Sequence, residues 1–119
     1  MRSKLLYVEG DSQQLHARAS LLVQNEYEVS TAGTLTKALR LFRTFPFDLL
    51  LIGHTIPERE RTALAAISKR INPRAAVLVM VDENEKQPLA DGWMTSRADS
   101  DLLSAVASLI GLRRSATAA

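Results

Sequence analysis

The chain has no cysteine. Disulfides, zinc knuckles and thiol catalysis are excluded, and a reducing compartment fits. Glycine and proline are sparse, at five and four of 119 residues, and the glycines are scattered, so there is no Gly-rich phosphate loop and no support for a Rossmann-type nucleotide site. No apolar run approaches the ~20 residues that a membrane span needs. The first four residues lead straight into a short strand-like run, with no signal-peptide core, so a cytoplasmic setting is expected. Excess charge of one sign is missing as well: 15 basic against 13 acidic residues leave a net charge of +2. That is not the electrostatic footprint of a nucleic-acid binder. What is present is ordinary for one folded domain, with 46% apolar and 24% charged residues, enough to bury a core and too much to stay disordered.

The apolar residues fall into short runs. Leu5 to Val8, Leu49 to Ile52 and Val77 to Val81 are nearly continuous, as strands are when helices cover both faces of a parallel sheet. Trp93-Met94 is a briefer run, and Tyr27 to Ala32 is more polar and reads as an edge strand. Between them lie amphipathic stretches. Leu15, Ala19, Leu22 and Val23 follow a cap at Asp11 or Ser12, and Leu35, Ala38, Leu39 and Phe42 follow Thr34 and stop before Pro46. Leu64, Ile67 and Ile71 end at Asn72-Pro73. Leu103, Val106, Ala107 and Ile110 start behind Asp99 and Asp101, with Gly111 as the expected stop. The alternation predicts an α/β domain with right-handed crossovers over residues 1–112, and 113–119 as a frayed tail or the start of a linker. One connection is irregular: Asp82 to Gly92 contains Pro88 and is expected to be a loop or about one helical turn, short of the usual crossover of ~10–12 residues or more.

The ordered set of segments resembles the receiver domain of two-component response regulators, over residues 4–111. KLLYVEGD (Lys4 to Asp11) is similar to that family's first strand with its acidic cluster, and NEYEVSTA (Asn25 to Ala32) to its second. FDLLLIGHTIP (Phe47 to Pro57) is similar to the third strand, with the phosphoacceptor position and a proline four residues later. ADGWMTSR (Ala90 to Arg97) is similar to the fifth. The resemblance implies a flavodoxin-like (βα)5 three-layer sandwich with a parallel sheet of order 2-1-3-4-5 and a shortened or missing fourth helix.

A working receiver needs an aspartate after the third strand to take the phosphoryl group and two acids after the first to hold Mg²⁺. It also needs a hydroxyl after the fourth strand and a lysine after the fifth to grip phosphoryl oxygens. On the resemblance, the phosphoacceptor position here is Gly53, the acid pair is Glu9 and Gly10, the hydroxyl position is Val81, the lysine position is Ser96 and the proline after it is Arg97. The expectation is a receiver shell that cannot be phosphorylated, with no catalytic residue and no cofactor.

Glu9 and Asp11 are a weak residual cation pair. The plainer expectation for them is an ion pair to Arg97 and a helix cap. His54 is either an alternative acceptor or merely solvated, and Asp82 either a relocated acid or the residue opening a turn. Trp93, with Arg97 the candidate interaction face, is either a contact anchor on the sheet edge or a half-buried core residue. Lys37, Arg40 and Arg43 line one side of the second helix, facing an acidic partner, a phosphate backbone or plain solvent. Glu58, Arg59, Glu60 and Arg61 read as ordinary mixed surface. The leading functional expectation is a non-enzymatic signalling module. It acts through contact with a protein partner or with itself, with no nucleic acid and no membrane. The alternative is a small-ligand or anion sensor, with Arg97, Ser96 and His54 receiving an anion in the space emptied at the carboxyl ends of strands one and three.

Overall fold

The computed structural model describes the backbone of residues 2–118 and side chains through Leu112. Five strands and four helices alternate: β1 (Lys4–Val8), α1 (Ser12–Gln24), β2 (Glu28–Ala32), α2 (Leu35–Thr44), β3 (Leu49–Ile52), α3 (Glu58–Ile71), β4 (Ala76–Met80), β5 (Gly92–Met94) and α4 (Asp99–Ala118). All pairings are parallel, and the sheet order is β2-β1-β3-β4-β5. This is the flavodoxin-like order.

Because side chains alternate across a strand, the continuous apolar runs feed two cores at once. Leu6, Val8, Leu50, Ile52, Val77 and Val79 face one side, where Ala38 and Phe42 of α2 and Leu64 and Ala65 of α3 close over them. Leu5, Tyr7, Leu49, Leu51, Leu78 and Met80 face the other, beneath Leu22 of α1 and Leu102, Val106 and Ile110 of α4. Each fully buried Leu or Val contributes roughly 1.5–3 kcal/mol of transfer free energy. β2 pairs only with β1 and is partly exposed, as its polar sequence predicts.

Local signals set the helix limits. The Asp11 carboxylate accepts from Gln14 N (2.9 Å) and the Thr34 hydroxyl from Lys37 N (3.2 Å), satisfying N–H groups that the first turn leaves free. α1 closes with Glu26 in the left-handed region (φ 70°), while Glu26 N donates to Val23 O and Tyr27 N to Leu22 O. α4 runs through Gly111 instead of stopping there; an interior glycine costs only about 1 kcal/mol relative to alanine. The reading of 113–119 as a frayed tail or linker falls on side chains outside the described residues.

No helix intervenes between β4 and β5. The connection folds as turns, with Glu85 N on Asp82 O (3.1 Å) and Ala90 N on Gln87 O (3.0 Å). It is tied to α3 by Arg61, which is 2% exposed. Arg61 is therefore not the surface residue its charged neighbours suggest. Its guanidinium pairs with Glu85 through both Nε and Nη2, while Nη1 donates to the carbonyls of His54 and Ile56. Gln87, also buried, adds bonds to Glu85 (2.9 Å) and to the Thr62 hydroxyl (3.0 Å). The planar fork of arginine suits this role, since it reaches a carboxylate with two donors and still has others for carbonyls. Burial raises the Glu85 carboxyl pKa, but bonds from Arg61, Gln87 and the Asp82 backbone outweigh it and hold it below the ordinary 4.5.

Candidate functional site at the carboxyl ends of β1 and β3

Glu9 directly follows β1 and is completely buried. A buried carboxylate is tolerated only when its oxygens are satisfied, and four donors meet this one. Oε1 accepts from the Tyr7 hydroxyl (2.5 Å) and from Arg18 Nη1 (2.7 Å), and Oε2 from the Thr55 backbone N–H (3.0 Å) and hydroxyl (2.5 Å). Four bonds fill the acceptor capacity of a carboxylate. Arg18 reaches in from α1, holding Gln14 Oε1 (2.7 Å) and the Tyr7 oxygen (3.2 Å) as well. The ion-pair partner of Glu9 is thus Arg18, one side of α1 away, and not Arg97. Burial keeps the Tyr7 phenol protonated far above its ordinary range, and donation to Glu9 adds to this.

Thr55 joins two loops. While its hydroxyl donates to Glu9, its oxygen accepts from the backbone N–H of Gly10 and of Asp11, each at 2.9 Å. The β1–α1 loop is thereby stitched to the β3–α3 loop. Gly10 sits close to this seam, and a Cβ there would come within 3.1 Å of Thr55 O.

Gly53, which follows β3, has no room for a side chain. A Cβ placed on it would overlap both oxygens and the Cδ of Glu9. The sequence suggests a hollow at this point; instead, the Glu9 carboxylate fills the space. The residual cation pair also fails to form as a site. Glu9 has no acceptor left, Asp11 is turned to the α1 backbone, and among the described residues no three His, Asp or Glu side chains are placed to hold a metal ion together.

The remaining positions are equally occupied. Val81 is buried in the α2–α3 core. Ser96 donates to Asp101 (2.6 Å) and accepts from Ala98 N (3.2 Å), organising the start of α4. Arg97 does not face an anion pocket: Nη2 donates to Val81 O (2.8 Å) and Nη1 to Thr95 O (2.7 Å), with Asp82 at 3.7 Å. Asp82 is the residue that opens the turn, and it stands near Arg61 as well (3.6 Å). His54 Nδ1 is buried without a partner; burial, followed by the charge of Arg97, lowers the ring pKa below 6.5. The described structure does contain an open groove of about 430 Å³, but Asn25, Tyr27, Ser100, Leu103, Ser104 and Ala107 line it. None of these belongs to the site at β1 and β3.

Trp93 is 46% exposed on the edge strand and pairs in register with Val79, which places it on the α2–α3 side. Leu89, in the helix-free connection, is 54% exposed. The missing helix leaves both apolar side chains uncovered.

No protein-family model matches the chain, and no curated protein matches it in sequence. Solved structures do. A CheY-like response regulator receiver domain protein from Methanospirillum hungatei superposes with a TM-score of 0.86 at 20% identity, covering 97% of this chain and 98% of that one. The signal receiver domain of an HD domain-containing protein from Pseudomonas fluorescens gives 0.85 at 18%, with 97% and 99% covered. A structure described as adenylate cyclase from Rhodopirellula baltica gives 0.87 at 17%, with 99% and 94% covered. The chain therefore has the receiver-type flavodoxin-like fold along essentially its whole length.

Proposed function

We propose that this chain, with residues 1–112 as the working unit, is a receiver-type signalling module in the cytoplasm that is not phosphorylated and acts through protein contacts. The observation that carries this reading is the pairing of Glu9 with Gly53. At the position that would carry the acceptor carboxylate there is no side chain, and a neighbouring carboxylate already occupies the volume. With no carboxylate at 53, no acyl phosphate can form there. Glu9, bonded on all sides, has no lone pair to offer a cation. Val81 has no hydroxyl to follow a phosphoryl group. The shell is intact while its chemistry is absent, which is what a scaffold or dimerising module requires. Trp93 and Leu89 are its candidate contacts, since exposed aromatics at an edge are frequent anchors. Arg97 ties the ends of β4 and β5 together through the carbonyls of Val81 and Thr95.

The test is incubation of the chain with acetyl phosphate and Mg²⁺, followed by intact mass measurement. No hydroxylamine-sensitive adduct is expected. A stoichiometric one overturns the reading.

A further inference from the structure

We propose that the outer face of α2 docks an acidic segment of a partner protein. Lys37, Arg40 and Arg43 are all exposed and lie three residues apart. At 1.5 Å rise and 100° per residue they span about 9 Å and cover the solvent-facing arc of the helix. Only Thr36 and Thr44 share that arc, and α2 contains no acidic residue. Among the described residues, none of the three cations has an ion-pair partner.

Helix stability does not account for the set. Arg43 in the last turn suits the helix dipole, but Lys37 in the first turn opposes it, and like charges one turn apart repel. Four cations outside α2, Arg18, Arg61, Lys69 and Arg97, lie against carboxylates, whereas α2 groups three unpaired ones on one arc. An external acidic group supplies what α2 lacks. Phe45, 53% exposed at the end of the same helix, adds an apolar contact that a polypeptide can use. A nucleic acid fits less well, because a duplex carries a charge about every 1.7 Å, and three cations on a chain of net charge +2 match a short stretch of acids better.

The proposal rests on the reading of the domain as a contact module. The probe is a fluorescein-labelled peptide of Glu and Leu residues, titrated with the chain and followed by anisotropy. The variants are Lys37→Gln/Arg40→Gln/Arg43→Gln and a control, Arg59→Gln/Arg70→Gln, which removes exposed cations from α3. Circular dichroism checks that each is folded. Saturable binding, weakened at least about ten-fold in the α2 variant and less than about two-fold in the control, supports the proposal. No saturable binding, or similar losses in both variants, overturns it. Tighter binding of a single-stranded oligonucleotide of equal charge overturns it too. A phosphoryl adduct on the chain would sink the contact-module reading without altering any of these titrations.

Discussion

The Glu9 carboxylate lies in the volume that a β-carbon on Gly53 would need. The two positions are therefore coupled, and any side chain at 53 displaces a buried charge from four donors. Gly53→Ala is expected to destabilise the fold by about 3 kcal/mol, combining overpacking with broken charge-assisted bonds. Gly53→Asp does not restore an acceptor, since it forces two carboxylates into one site. A denaturant double-mutant cycle with Glu9→Gly checks this: the double variant should lose at least about 1 kcal/mol less than the two single losses together. Strict additivity would refute the coupling.

Arg61 substitutes for a missing helix by holding the 82–91 connection against α3. Arg61→Met leaves Glu85 without its cation and takes the Nη1 donor from the carbonyls of His54 and Ile56, and breaking a buried pair costs about 3–5 kcal/mol. The loss should be local first. Hydrogen exchange at residues 82–91 should quicken more than exchange in β1 and β3. Uniform acceleration would show that the connection is not separately anchored.

Acid should weaken the fold in two stages. The His54 ring has a folded pKa below 6.5, so the unfolded chain binds the proton first. Stability falls as the pH drops through 6.5 and levels off below the folded value. Glu85 is also depressed, from 4.5, so its contribution is complete above 4.5 and is lost as the pH falls through its folded pKa. In melting curves against pH, His54→Gln should remove the first stage and retain the second.

Glu26 occupies a left-handed position (φ 70°) at the end of α1, where L-residues other than Asn and Asp are disfavoured and glycine is the usual choice. Glu26→Gly is expected to stabilise by about 0.5–1 kcal/mol, raising the melting temperature by several degrees. An unchanged or lower melting temperature would count against strain at this residue.

The sheet was legible because a strand covered on both faces cannot alternate: Leu49 to Ile52 could hardly be read otherwise. Caps at Asp11 and Thr34 were legible because few residue types satisfy free N–H groups from a side chain. The short connection before β5 announced itself through Pro88. Partner choice was not legible. Arg18 and Arg97 carry the same charge, and only the packing of α1 on the sheet brings Arg18 to Glu9. Arg61 sits in an alternating run of acids and bases, a pattern that suggests surface. Its burial follows from the 82–91 connection packing over α3, where Glu85 and the carbonyls of His54 and Ile56 meet the guanidinium. Thr55 carried no signal at all, because its hydroxyl matters only where two loops meet.

The phenol of Tyr7, sealed beneath Arg18 and donating to Glu9, has a consequence for optical titration. One of the two tyrosines in the chain should stay spectroscopically silent as alkali is added. Its phenolate absorbance should emerge in step with the loss of ellipticity, so the ultraviolet difference spectrum becomes a built-in gauge of whether the β1 end of the domain is closed.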